Sequence, residues 1–156
     1  MKRRLLITLC LFGAAPWLIA QSTQDESAVR ARIAAYADAR NKRDAHAEAL
    51  CYTEDGDFRS SQGPFVSGRA AIEKQLTVND PSYHFDLEIT KLRFLDATTA
   101  IVDAEVRTGT SRGETVLVAD YVVVKIGSEW LIAAGRIAAK PPARSPAPAG
   151  PDGRKN

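Results

Sequence analysis

The stretch ETVLVADYVVVKIGSEWLIAAGRIAA, Glu114 to Ala139, decides the fold. In its first half Val116, Val118, Val122 and Val124 point one way, and Leu117, Ala119, Tyr121 and Val123 the other. A strand apolar on both faces is covered on both, so it lies inside a sheet. Gly127-Ser128 gives a tight reversal and Trp130 opens the return strand. A two-residue loop pairs Ile126 with Glu129 and Ala119 with Arg136. Tyr121, Val123, Trp130, Ile132 and Arg136 then share one face. That face reads either as a ligand pocket or as an ordinary core with a capped arginine, because a guanidinium is not buried bare.

Working outward, the strands before it are also long. From Tyr83 to Leu95 the apolar positions run Tyr83, Phe85, Leu87 and Ile89, then switch to Leu92 and Phe94. A switch of parity implies a bulge near Thr90-Lys91 that bends the sheet. Asp96-Ala97-Thr98 turns the chain into Ala100 to Arg107, where Ala100, Val102, Ala104 and Val106 share a face.

Helical signals are confined to the front. Ser27 is suited to cap a helix with Val29, Ile33 and Tyr36 inward. Asp44 caps a second, short helix through Ala47, Leu50 and Cys51, which Glu54-Asp55-Gly56 ends. Asp57 to Arg59 and Phe65-Val66 read as short strands, and Arg69 to Leu76 as a third helix with Ile72 and Leu76 inward. Helices first and curving antiparallel strands after them make an α+β fold, a cone with its N-terminal helices on the concave face. The valines of the convex face need cover too, and a homodimer, sheet against sheet, supplies it. Asp120 interrupts that face and would take its partner from a basic residue of the second subunit.

The two ends differ from the domain. Lys2, Arg3 and Arg4, an apolar run from Leu5 to Phe12, and small residues up to Ala20 have the layout of a secretory signal peptide. The expected organisation is a signal peptide over 1–20, a short leader over 21–26, the domain over 27–139 and a disordered, proline-rich tail over 140–156. The apolar run is too short to span a bilayer, so the chain is expected to be exported, periplasmic or secreted, and free of the membrane after cleavage. Setting aside the three basic residues of the signal, and the four basic and one acidic residue from Lys140 onward, leaves 14 basic against 18 acidic residues. A mildly acidic domain is a poor nucleic-acid binder. Cys51 is the one cysteine outside the signal, which rules out an internal disulfide in the mature chain, and His46 and His84 stand at no ligand-motif spacing, so neither metal nor cofactor is implied.

Three stretches carry a resemblance: ARNKRDAHAEALCYTEDGDF (Ala39 to Phe58), GPFVSGRAAIEKQL (Gly63 to Leu76) and VVVKIGSEWLIAAGRIA (Val122 to Ala138). In order and spacing they resemble the nuclear transport factor 2-like superfamily, and within it the SnoaL-like exported bacterial proteins. The resemblance implies a cone with a small-molecule cavity, in a superfamily of isomerases, cyclases, dehydratases, assembly domains and carriers. Tyr36 matches in place the oxyanion tyrosine of ketosteroid isomerase-like members. Their base position falls on or near Ser60, and a serine without a base of its own does not move protons between carbons. Asp57, the nearest carboxylate, falls on the opposite face from Phe58 and Ser60.

The reading is an exported, ligand-holding cone-fold protein with Arg136, Tyr36, Tyr121, Phe58 and Trp130 as ligand contacts and no assigned catalytic residue. A cofactor-independent isomerase, cyclase or dehydratase and a dimerisation module with a filled cone are the alternatives. N-terminal sequencing of protein recovered from a periplasmic or secreted fraction should begin within a few residues of Gln21. A mature chain starting at Met1 in the cytoplasm would refute export.

Overall fold

A computed structural model describes residues 17–61, 63–75 and 80–141, with side chains from Ser22 onward. Most of the signal segment, most of the tail, and Leu76 lie outside the described residues. Three helices come first, α1 (Trp17–Lys42), α2 (Ala45–Leu50) and α3 (Arg69–Gln75). The strands are β1 (Tyr52–Arg59), β2 (Phe65–Ser67), β3 (His84–Phe94), β4 (Thr99–Thr110), β5 (Gly113–Ile126) and β6 (Glu129–Ala139). They form one sheet in the order β2-β1-β6-β5-β4-β3. It is mixed rather than wholly antiparallel, because β1 returns beside β6 in parallel.

The long strand pairs follow the alternation in the sequence. Ala100, Val102, Ala104 and Val106 are all buried under the helices, and the bulge of β3 falls between Ile89 and Lys91. Val29, Ile33 and Tyr36 face inward from α1 with at most 1% exposure. Ser27 does not cap that helix, which starts ten residues earlier at Trp17. The Asp44 side chain does cap α2, accepting from Ala47 N–H at 2.9 Å. The inward face of α2, however, is Glu48 and Ala49, while Leu50 is exposed. The acidic run 54–56 does not end a helix; it lies within β1, whose pairing to β6 is irregular between Tyr52 and Asp57.

The largest correction concerns β6. Ile126 pairs with Glu129, but the ladder shifts between Val122 and Val123, leaving Ala133 without a partner in the register. One extra residue turns every later side chain over. Trp130 and Ile132 are buried on the helix side, and so are Gly135 and Ile137, which stand at the opposite parity. Arg136 therefore pairs with Asp120 instead of Ala119 and points to the outer face.

Side-chain clamps hold α1 across the sheet. Asp25 accepts from Lys125 at 2.6 Å and from the Trp130 indole at 3.1 Å. Arg32 donates to the Trp130 carbonyl at 2.6 Å. At the other end Asn41 donates to the Phe85 carbonyl at 2.9 Å and accepts from the Phe85 N–H at 2.7 Å. Beneath α1 the interior is aromatic. A Cβ added at Gly135 would meet the Tyr52 hydroxyl at 2.9 Å, with Phe58 and Tyr121 at 3.3 and 3.4 Å. Rigid buried rings cannot easily give way, so Gly135→Ala should lower the urea midpoint by about 1–3 kcal/mol of stability, the usual scale of overpacking. An unchanged midpoint would show that these rings are loosely held.

Candidate functional site

Three tyrosines meet in the cone. Tyr36 comes from the inner stripe of α1, Tyr52 from the start of β1 and Tyr121 from the middle of β5. Tyr36 stands edge-on to both, its ring centroid 5.9 Å from Tyr52 and 5.5 Å from Tyr121. Phe85 packs against Tyr36 at 5.9 Å and Phe58 against Tyr52 at 6.3 Å. All five rings are at most 2% exposed. Among the described residues, none of the three phenol hydroxyls reaches a hydrogen-bond partner. The hydroxyls of Tyr52 and Tyr121 nevertheless lie close enough to that of Tyr36 to lower its pKa. Burial outweighs them and pushes Tyr36 up to about 12, and it pushes Tyr52 and Tyr121 well above the usual phenol value. The three are protonated donors at any physiological pH.

Beside them lies a buried ion pair. Arg40, one turn beyond Tyr36 on α1, donates to Glu48 of α2 at 2.5 Å and to the Tyr83 hydroxyl at 2.9 Å. Its guanidinium lies 4.9 Å from the centroid of Phe85 and 5.9 Å from that of Tyr83, both within cation–π range. Glu48 is 1% exposed. Burial opposes ionisation of both partners; the guanidinium keeps its proton and the carboxyl gives way. Burial raises Glu48 to about 7, with Arg40 pulling in the other direction.

The expected site residues divide. Tyr36, Tyr121 and Phe58 are brought together in the cone. Trp130 is buried elsewhere, under Asp25 and edge-on to Phe94 at 5.6 Å. Arg136 lies outside, paired to Asp57 and half-exposed, with the ring of Phe65 5.5 Å away. Asp57 is thus held by an arginine on the outer face, as its parity in the sequence implies. Tyr52, Arg40 and Glu48 were not singled out in the sequence. Glu48 carried a signal, an acid between two alanines on a helix with an inward face, but the phase of α2 hid it. Among the described residues no three His, Cys, Asp or Glu side chains stand close enough to hold a metal ion, and no helix is long and apolar enough to cross a membrane.

Comparison with solved structures identifies the architecture. A domain of unknown function with a cystatin-like fold from Nostoc punctiforme superposes with a TM-score of 0.69 at 24% identity, over 77% of this chain and 80% of that one. A scytalone dehydratase-like protein from Novosphingobium aromaticivorans gives 0.68 at 18%, over 88% and 99%. A ketosteroid isomerase-like protein from Erwinia carotovora atroseptica gives 0.62 at 18%, over 74% and 96%. Further neighbours at TM-scores of 0.59 to 0.69 are described as NTF2-like, one of them with a cystatin-like fold, so the fold is the nuclear transport factor 2-like cone. No protein-family model matches the sequence, and no curated protein does.

The Glu48 carboxyl gives the cone a pH dependence of known sign. Its pKa is near 7 folded against 4.5 ordinarily, so the folded state binds the proton more tightly. The stability it contributes is full below about 4.5 and is lost as pH rises through about 7, by at most about 1.4 kcal/mol per pH unit. Glu48→Gln removes that titration, so its urea midpoint should fall less steeply than the wild type's across this window. A difference between the two proteins that stays constant with pH would refute the assignment.

Proposed function

We propose that the protein binds a small, partly apolar molecule within the cone, with an acceptor oxygen of the ligand turned to Tyr36, Tyr52 and Tyr121. The observation that supports this is the set of three buried phenol hydroxyls that find no partner outside their own cluster. A buried donor left unmade costs about 1–3 kcal/mol, and three in one place form a cradle of donors for a carbonyl or phenolate oxygen. Phe58 and Phe85 supply the apolar walls. Arg40, Glu48 and Tyr83 form a polar group beside them. Arg136 and Trp130 take no part in this site.

A second reading has its own support. A carboxyl that titrates near neutrality beside a phenol donor suits proton transfer at a carbon next to a carbonyl, with Glu48 moving the proton and Tyr36 holding the oxyanion. This is the chemistry of a cofactor-independent isomerase or dehydratase. The names of two structural neighbours point the same way, though a shared fold does not transfer an activity.

Acetophenone and 4-hydroxyacetophenone test the binding reading, since each joins a flat apolar ring to a carbonyl. Native mass spectrometry and calorimetry of the full chain should show a 1:1 adduct. Tyr36→Phe should weaken it by about fivefold, the scale of one neutral hydrogen bond, without loss of stability in the free protein. If neither ketone binds and Tyr36→Phe, Tyr52→Phe and Tyr121→Phe each raise stability, the phenols are core and the cone is a filled scaffold.

A further inference from the structure

Two pairs of carboxylates occupy successive rungs on the outer face of the sheet, and a base meets only the first. Asp103 and Glu105 of β4 lie at the outer parity, alternating with the buried Ala104 and Val106. Across the ladders Glu105 stands opposite Glu88, and Asp103 opposite Asp120. Like charges directly opposite each other destabilise a strand pair. Lys140, the residue after β6, relieves the first pair. Its ammonium reaches across β5 to donate to Glu105, and holds that carboxyl below the usual range. The second pair has no such base. Among the described residues, neither Asp103 nor Asp120 makes a side-chain hydrogen bond or an ion pair within 4.0 Å. Arg93 and Arg136 line the same hollow of about 320 Å³. Arg136 is held by Asp57, however, and Arg93 reaches neither aspartate.

We infer that the segment beyond Pro141 folds back over this face as a strap, with the Arg144 guanidinium seated between Asp103 and Asp120. Lys140 already directs the chain onto the face. Arg144 is the next basic residue after it. Four extended residues cover about 12 Å, and the two rungs are about 7 Å apart along β4, so the reach is sufficient. A guanidinium is the side chain suited to bridge two carboxylates, through its fork of donors. The wider charges agree, since the chain from Pro141 onward has three basic residues and one acidic, against 14 basic and 18 acidic in the domain. Prolines at 141, 142, 146, 148 and 151 offer no backbone N–H. Such a segment is suited to lie on a face, over the half-buried Val118 and Val122, rather than to add a strand at an edge. The composition that keeps it from packing a core of its own does not prevent a contact held by charge. A second copy of the chain would bring the same acidic rungs to a face that is already acidic, so the strap answers the charges better.

Zero-length crosslinking of the full chain tests the contact. Arg144→Lys supplies an amine at that position, and a water-soluble carbodiimide should join it by an amide to Asp103 or Asp120, read by peptide mass spectrometry. The amide between Lys140 and Glu105 is the internal reference. The yield at position 144 should fall severalfold as salt is raised, since the contact is exposed and ionic. A mixture of ordinary and nitrogen-15-labelled protein distinguishes one chain from two, and the amide should join peptides of the same label only. With Arg144 itself in place, changing Asp103→Asn and Asp120→Asn together should make trypsin cut after Arg144 about tenfold faster, with cleavage after Arg154 unchanged. Asp120→Asn alone serves if circular dichroism shows the double variant unfolded. Amides of mixed label would assign the face to a second copy and overturn the inference. So would a position-144 amide that is absent from both aspartates, or cleavage indifferent to the asparagines.

Discussion

The single unpaired residue in β6 governs much of this molecule. With Ala133 bulged, Ile132 and Gly135 both face the helices, and everything beyond Gly135 is turned over. Gly135 then lies under the tyrosine rings, where any larger side chain would strike the Tyr52 hydroxyl. Arg136 goes to the outer face, where it pairs with Asp57 and stands opposite Asp120 in the register. Without the extra residue a guanidinium would stand where the aromatic cluster packs. Desolvating it there would cost far more than one unpaired strand position.

What the bulge keeps out of the cone, α1 and α2 bring in by another route. Arg40 and Glu48 enter from the helix side as a pair, stacked on Phe85 and tied to Tyr83. A buried pair of this kind is poor evidence for stability, since its desolvation can exceed its attraction, and the raised carboxyl of Glu48 is the mark of that imbalance. Three protonated phenols lie next to it. The interior is thus a dry aromatic cluster with donors and one near-neutral acid gathered at one side, a composition more specific than packing alone requires.

The two faces of the sheet differ in what they carry. The concave face, with α1 clamped over it by Asp25, Arg32 and Asn41, holds the polar cluster away from water. The convex face is half apolar and carries charges of both signs. Strands that are apolar on both sides link the two, so the same valine-rich stretch supports a core on one side and leaves a half-buried apolar surface on the other.

Much of the fold was legible in the sequence because strand period is strict. The alternation of Ala100 to Val106 and the parity switch near Thr90 gave face and bend directly, and the Asp44 cap fixed where α2 begins. Tyr121 and Phe58 were legible as inward residues for the same reason, and Tyr36 was legible from the helical spacing of Val29, Ile33 and Tyr36. The β6 bulge was not, because Ala133-Ala134-Gly135 has no parity of its own to switch: small residues fit either face. The phase of α2 was hidden likewise, since a six-residue helix offers too few apolar positions to define a stripe, and nothing marked Glu48 as inward. The sequence by itself determined which strands form and which residues shun water, since those follow from local periodicity. Only the tertiary structure decided which charges face the cone and which face outward, because that depends on one residue's register against a neighbouring strand and on the partner a buried carboxyl finds across two helices.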